Sequence, residues 1–102
     1  MKKIHIFTNE IKIIKILKSL FYIDVIFTEN IDIYKKIKKT KKNIFLVKNH
    51  RNLLDCPLNQ VELGISYGFG IIFKDLFIKR YKSGIWNIHT GELPFYRGRH
   101  PI

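Results

Sequence analysis

"KIHIFTNEIKIIKILKSLFYIDVIFT", residues 3–28, holds the pattern that decides the fold. Its two ends, Lys3–Thr8 and Ile23–Thr28, are short runs of β-branched and aromatic residues, which are typical of strands. Between them, Asn9 is a possible helix cap, and lysines at 12, 15 and 18 fall opposite an apolar helical face made by Ile13, Leu17, Leu20 and Phe21. A strand, a helix and a strand in this order predict a right-handed βαβ unit with parallel strands.

The same alternation continues along the chain. Residues 30–42 predict a second helix through Ile33, Tyr34 and Ile37, and residues 43–49 predict a third strand. After a loop over residues 50–59, a strand at 61–68, a helix at 73–83 ending at Gly84, and a strand at 84–90 follow. We therefore expect one domain, residues 1–102, of the α/β class: an open, mostly parallel, Rossmann-like sheet of about five strands with flanking helices.

The chain is strongly basic, with 19 Lys and Arg against 8 Asp and Glu and a formal net charge of +11. Such a charge raises the question of a nucleic-acid or acidic-membrane partner. Most of the lysines recur at spacings that suit the wet faces of helices, and no aromatic residues alternate with them as a platform for bases. The distribution favours solvated helix faces over a nucleic-acid site, and a general attraction to anionic ligands stays open.

The single cysteine, Cys56, can form no internal disulfide and is interpreted as a small, half-buried hydrophobic residue. With His89 and His100 it lacks the spacing of a metal site, so we expect no metal. The amino-terminal residues do not form a signal peptide, and no apolar run reaches the roughly 18 residues of a membrane span. These features predict a cytoplasmic protein without a membrane partner.

Ligands of open parallel sheets bind beyond the carboxyl ends of the strands, near the point where the strand order reverses. The first such loop, "TNEI", lacks the G-x-G-x-x-G pattern, which argues against a dinucleotide. The loops "SYGFGI" (66–71) and "HTGELPFYRGRHPI" (89–102) hold four of the six glycines and two of the three prolines. These two loops are therefore the candidates for a site.

Asn87 and His89 are two residues apart in the fifth predicted strand, so their side chains should share one face, while Trp86 and Ile88 point into a packing layer on the other. Histidine can move a proton near neutral pH, and a carboxamide can donate a hydrogen bond to an oxygen that becomes negative. The pair is a candidate reaction centre. A strand-capping asparagine beside a surface histidine is the alternative that the residues alone leave open.

"NIHTGELPFYRGRHPI" (87–102), preceded by "SYGFGII" (66–72), resembles the amino-terminal domain of the formyltransferases that use 10-formyltetrahydrofolate. The hallmark of that family is an Asn-x-His strand end followed by a Leu-Pro-x-x-(Arg/Lys)-Gly loop. The motif match covers about the last forty residues, and the remainder agrees in the order of strands and helices. The matching residues are Asn87, His89, Leu93, Pro94, Arg97 and Gly98.

The resemblance implies transfer of a formyl group from the cofactor 10-formyltetrahydrofolate to an amine. Asn87 and a protonated His89 would stabilise the oxyanion formed when the amine attacks. The pteridine would lie against main chain of the segment Tyr67, Gly68, Phe69, Gly70 and Ile71, although core packing of Tyr67 and Phe69 stays an alternative. A substrate loop would contain Gly91, Leu93, Pro94, Arg97 and Gly98, in which Pro94 holds the preceding residue extended.

The sequence departs from the family after His89, because the Asp that orients the histidine in the family has no counterpart and Glu92 is the only later acidic residue. We therefore expect a domain that is incomplete at its carboxyl end, inactive alone and poorly soluble, since its last strand would expose an edge. The first loop also lacks the phosphate loop of glycinamide ribonucleotide enzymes and the Gly-Thr-Pro turn of methionyl-tRNA enzymes. The acceptor that remains is the amine of a nucleotide-linked amino sugar.

Two alternatives stay open at this point. The first is a fragment similar to methionyl-tRNA formyltransferases, for which the positive charge can be argued. The second is a non-enzymatic basic α/β module that binds anionic ligands. Binding to DNA or RNA that weakens steeply with salt would favour the second alternative.

Overall fold

Five parallel strands form one sheet in the computed structural model of the chain, which describes residues 1–56 and 59–88. Across the sheet their order is β3-β2-β1-β4-β5, and every neighbouring pair is parallel. The prediction of an α/β fold with an open, Rossmann-like sheet is confirmed. The order reverses between β1 and β4, so the switch point lies there. The strands are β1 (Lys3–Thr8), β2 (Tyr22–Thr28), β3 (Ile44–Leu46), β4 (Leu63–Tyr67) and β5 (Ile85–Ile88).

Four helices connect these strands: α1 (Ile11–Lys18), α2 (Ile31–Lys38), α3 (His50–Asp55) and α4 (Asp75–Ile78). The second predicted helix is too long by several residues, and the predicted helix at 73–83 is a single turn followed by further turns. The predicted loop at 50–59 contains α3. The longest of the four have eight residues, so no described helix has the length and apolar character needed to cross a bilayer.

The helix ends show how local side chains set these boundaries. Asn30 caps α2 by accepting hydrogen bonds from the backbone N–H groups of Asp32 and Ile33, at 2.9 and 3.1 Å. Asn49 caps α3 in the same way through the N–H of Asn52, at 3.0 Å. Asn9, the predicted cap of α1, does not cap it: Glu10 is the residue at the N-cap, and its side chain makes no capping hydrogen bond.

One face of the sheet packs against α1 and α2 through aliphatic side chains, here called the aliphatic cluster. The lysines of α1 point to solvent, as expected. Leu20 was predicted on the buried face of α1, but α1 ends at Lys18 and Leu20 is 61% exposed. Ile14 instead completes that face. The cluster contains Ile4, Ile6, Ile13, Ile14, Leu17, Ile23, Ile26, Ile44, Leu63, Ile65 and Tyr67.

The other face packs against α3 and α4 through an aromatic cluster centred on Phe7. The Phe7 ring stacks on that of Phe27 with 4.7 Å between centroids, and its edges meet Phe73, Phe77 and Tyr81. Offset and edge-to-face pairs of this kind add about 0.5–1.5 kcal/mol each beyond the area they bury. The cluster also contains Val25, Val47, Leu53 and Val61.

Strand β5 is one of the two edge strands of the described sheet, and among the described residues it pairs only with β4. The prediction that Trp86 points into a packing layer is wrong, because its side chain is 52% exposed. Its register partner Ile65 is buried, whereas the outer position leaves the larger indole partly in solvent. Ile88, on the same face, is partly buried against the aliphatic cluster.

Candidate functional site

The switch point between β1 and β4 brings two strand ends together. Thr8 and Tyr67 are register partners, and the buried Thr8 hydroxyl donates to the Tyr67 carbonyl at 2.6 Å. One residue further, the Asn9 N–H donates to the Gly68 carbonyl at 3.3 Å. The loops that follow β1 and β4 therefore leave the sheet side by side, where a ligand site of this fold is expected.

A hydrogen-bond network, here called the rim network, ties the ends of β1, β2 and β4 together. The Asn9 carboxamide donates to the Glu29 carboxylate at 2.8 Å and accepts from the Glu29 N–H at 2.8 Å and the Thr28 hydroxyl at 3.1 Å. The same Glu29 carboxylate accepts from the Gly70 N–H at 2.6 Å. A charged acceptor makes this last bond a strong one, so the segment after β4 is held in place.

The two glycines of that segment lie close to carboxylates. Gly68 has a φ of +62°, and a Cβ on it would come within 2.8 Å of a Glu10 carboxylate oxygen. A Cβ on Gly70 would lie 3.1 Å from both carboxylate oxygens of Glu29. The absence of side chains at these positions thus lets main chain approach two glutamates. Whether the segment also approaches a pteridine stays a prediction.

The side chains of the segment face the core, as the packing alternative proposed. Tyr67 is buried in the aliphatic cluster, and Phe69 and Ile71 pack against the aromatic cluster. The Phe69 ring stacks on Phe73 with 5.8 Å between centroids. Within residues 1–56 and 59–88, the N–H and C=O of Phe69 and the N–H of Ile71 have no hydrogen-bond partner. Main chain rather than side chain is therefore what this segment offers to a ligand.

Asn87 lies near the carboxyl end of β5, in register with Ser66 of β4. Register partners in parallel strands share a face, so Asn87 is on the side of the aromatic cluster, with Ser66 and Phe7. Its side chain is exposed, while Ser66 is buried. His89 lies outside the described residues, so the shared orientation of the two side chains stays a prediction. The predicted substrate loop, Gly91, Leu93, Pro94, Arg97 and Gly98, also lies outside them.

The residues of the rim network were missed by the sequence reasoning, although a signal exists. Strands β1 and β2 end in "FTNE" (7–10) and "FTEN" (27–30). Both phenylalanines stack in the core, and both threonine hydroxyls accept the N–H two residues later, at 3.0 Å from Glu10 and 3.1 Å from Asn30. The repeated strand end, buried Phe and Thr followed by Asn and Glu, marks the positions that build the rim.

A second polar group is buried nearer the amino ends of β1 and β2. His5 has no exposed surface, and its Nδ1 lies 2.7 Å from the Tyr81 hydroxyl and its Nε2 3.4 Å from the Asp24 carboxylate. A bulge in the pairing of β1 with β2 leaves Asp24 without a register partner there and turns it toward His5. Because a carboxylate only accepts, Nε2 carries the proton and Nδ1 accepts from Tyr81. Burial raises the pKa of Tyr81 and lowers the pKa of His5.

Within the described part of the chain, no three His, Cys, Asp or Glu side chains come together as ligands. The Cys56 thiol donates to the Asn52 carbonyl at 3.2 Å and packs against the aromatic cluster. Burial raises the pKa of the thiol, which keeps it protonated at neutral pH. Cys56 is the small, half-buried hydrophobic residue that its sequence context indicated.

The carboxyl edge of the sheet therefore presents three kinds of group. These are main-chain donors and an acceptor at Phe69 and Ile71 that have no partner among the described residues, carboxylates at Glu10 and Glu29, and the exposed Asn87 carboxamide. Main-chain groups of this kind can bind the polar edge of a flat heterocycle, and a carboxamide can stabilise a developing negative charge on oxygen. The chain has no significant match among family models, curated proteins or solved structures.

Proposed function

We propose that this chain binds 10-formyltetrahydrofolate and contributes to formyl transfer to an amine, that of a nucleotide-linked amino sugar. The observation that supports this best is the position of Asn87 in β5, next to β4 and the segment that follows it. The carboxamide and the main-chain groups of Phe69 thus belong to the same edge of the sheet. A pteridine bound along that segment would bring its formyl group towards the Asn87 amide.

Each residue has a separate role in the proposal. Main chain of Phe69 and Ile71 binds the pteridine edge, and the folate supplies the formyl group. The acceptor amine would attack the formyl carbon, and the formyl oxygen would gain the negative charge. Collapse of this intermediate would break the bond from the formyl carbon to the folate nitrogen, so that tetrahydrofolate leaves with the proton that the amine gives up. Asn87 donates a hydrogen bond to that oxygen, and His89 in its protonated form donates a second. A donor at such a position contributes roughly 10²–10³-fold in rate.

Folate binding can be tested through Trp86, the single tryptophan of the chain and the neighbour of Asn87. A stable isomer that does not transfer its formyl group, 5-formyltetrahydrofolate, should quench the fluorescence of Trp86 in a saturable manner. In ¹⁵N NMR spectra, the amide signals of Phe69 and Ile71 should move most. The absence of saturable binding, or shifts confined to other amides, would contradict the proposed folate site.

Transfer itself is measured by mass spectrometry of the acceptor after incubation of the protein with 10-formyltetrahydrofolate. Asn87→Ala should lower the rate by roughly 10²–10³-fold. Asn43→Ala, which changes an exposed asparagine just before β3, should leave the rate unchanged. Formylation of charged initiator tRNA instead of the amino sugar would overturn the acceptor, and transfer to neither would overturn the enzymatic proposal.

A further inference from the structure

A groove of about 540 Å³ runs between α1 and α2 on the aliphatic face of the sheet. It forms because both helices are only two turns long and α2 fully buries a single residue, Ile33. The groove lies over β2, whose Ile23 and Ile26 are buried, and its more accessible apolar side chains are the partly buried Phe21 and Ile37. The floor of the groove is apolar and consists of Ile14, Phe21, Ile23, Ile26 and Ile37.

The rim of the groove is basic. Lys15 and Lys18 of α1 stand on one side, and Lys36 and Lys41 stand on the other. No carboxylate of the described residues lines the groove, and none of these four lysines forms an ion pair with a described carboxylate. The walls offer only the hydroxyls of Tyr22 and Thr40 as uncharged polar side-chain groups. The groove thus combines an apolar floor with a rim of four lysines that form no ion pair with a described carboxylate.

Lys41 is held inside this rim. Its ammonium group donates to the Ile23 carbonyl at 2.7 Å, which places the charge next to the groove floor. Burial lowers the pKa of Lys41, the Asp24 carboxylate acts against this, and the positive charge of Lys18 lowers the pKa further. Two ammonium groups that repel each other beside an apolar surface would both be stabilised by one anion between them.

We propose that the groove between α1 and α2 binds a free fatty acid, with its alkyl chain on the isoleucine-rich floor and its carboxylate between Lys18 and Lys41. The volume lies within the range of small-ligand sites, about 300–1,000 Å³. A nucleotide base would need several directional hydrogen-bond partners, which the floor does not provide. A linear alkyl chain needs only apolar contact, and the carboxylate supplies the missing negative charge.

The test uses two amphiphiles of equal chain length and opposite charge, dodecanoate and dodecyltrimethylammonium, both below their micelle concentrations. Isothermal titration of the chain with dodecanoate should give saturable binding with one site, at least about tenfold tighter than the cationic amphiphile. In ¹³C-methyl spectra, Ile14, Ile26 and Ile37 should show the largest shifts. Equal affinities for the two amphiphiles, or shifts at other methyl groups only, would overturn the proposal.

The variants test the lysine rim separately from the fold. Lys18→Gln with Lys41→Gln should weaken dodecanoate binding about tenfold, because the charge-assisted contacts are lost. Lys35→Gln with Lys79→Gln removes the same charge from exposed positions outside the groove and should change affinity less than twofold. Lys18→Gln alone, at an exposed position, should weaken binding even if the Lys41 change disturbs folding. Unchanged affinity in Lys18→Gln, or equal losses in the double variant and its control, would contradict the proposed site.

Discussion

His5 is a titratable side chain without any solvent contact, held between Asp24 and Tyr81. Around it, Phe27 meets the ring edge-on, and Lys41 is close enough to Asp24 to feel its charge. The imidazole is therefore neutral in the folded protein, although a carboxylate is nearby. Burial of the ring outweighs the attraction of that carboxylate for a proton.

This balance predicts a loss of stability in mild acid. A histidine whose pKa is lowered by folding binds protons more readily in the unfolded state, so protonation favours unfolding. This destabilisation is absent well above pH 6.5, the ordinary pKa of histidine, and grows as the pH falls below that value. The free energy of unfolding should fall by up to about 1.4 kcal/mol per pH unit there. Urea denaturation between about pH 8 and pH 5 measures this slope. His5→Gln should reduce this slope, and an unchanged slope would contradict the role given to His5.

The hydrogen bond from Tyr81 to His5 is testable by removing one oxygen atom. Tyr81→Phe leaves the buried Nδ1 without a partner, which should lower the free energy of unfolding by about 1–3 kcal/mol. Tyr22→Phe is the matched control, because Tyr22 is exposed and should change stability by less than about 0.5 kcal/mol. Equal effects of the two substitutions would show that the buried bond contributes nothing.

At the scale of one element, β4 depends on a residue without a side chain. A Cβ on Gly64 would lie 3.0 Å from the Phe7 ring and 3.1 Å from Ile85. The Phe7 ring cannot move aside, since it is stacked on Phe27 and surrounded by other aromatic rings. Close packing at Gly64 is therefore what allows β1, β4 and β5 to share one aromatic layer.

Gly64→Ala should consequently destabilise the protein by about 1–3 kcal/mol through overpacking, measured by chemical denaturation. Gly70→Ala provides a comparison at a negative φ: its Cβ would meet only the Glu29 carboxylate, the end of a flexible side chain. Its effect should be the smaller of the two. A larger loss in Gly70→Ala would mean that the rim network, rather than the aromatic layer, limits stability.

The elements differ in how well their sequences predict them. Strand β1 has the predicted bounds, because a dense β-branched and aromatic run admits no other structure. Helix α3 was missed because six residues are too few for a periodic signal, and only Leu53 is buried. Residues 73–83 were predicted as a helix that ends at Gly84, and Phe73, Phe77 and Tyr81 are four apart in this segment. In the structure these rings do pack together, but through one helical turn and the turns beside it.

The sequence indicated candidate residues only where the rule that ligands bind beyond the carboxyl ends of parallel strands could be applied. The carboxyl-end rule selected the segment after β4 and Asn87, and the structure puts both at that edge. Asn9 and Glu29 were missed because their contacts join residues 20 and 41 positions apart. Side-chain hydrogen bonds over such separations leave no periodic pattern, so only the shared "FTNE" and "FTEN" strand ends could have indicated them.

For the whole molecule, the net charge of +11 predicts a dependence of stability on salt. The described residues contain two ion pairs between lysine and glutamate, and the neutral His5 adds none with Asp24, so most lysines repel one another. Raising NaCl from about 20 to 500 mM should screen this repulsion and increase the urea midpoint.

Two further salts separate screening from specific anion binding. The urea midpoint is compared in sodium sulfate and in a salt with a large organic cation, each at the same ionic strength as NaCl. Equal shifts at equal ionic strength indicate screening alone. A midpoint that falls as NaCl is added would contradict the repulsion argument, because it would mean that attractive pairs dominate the charge balance.

The strand order has a consequence for synthesis on the ribosome. β1 emerges first and pairs with β2 early, but its other neighbour, β4, ends at Tyr67, about 40 residues after β2 ends at Thr28. At about 5–20 residues per second, the innermost strand of the nascent chain keeps one side open for roughly two to eight seconds. A translational pause between codons 46 and 63 would lengthen that interval. The open edge of β1 would then have more time to pair with a nascent chain on a neighbouring ribosome of the same polysome.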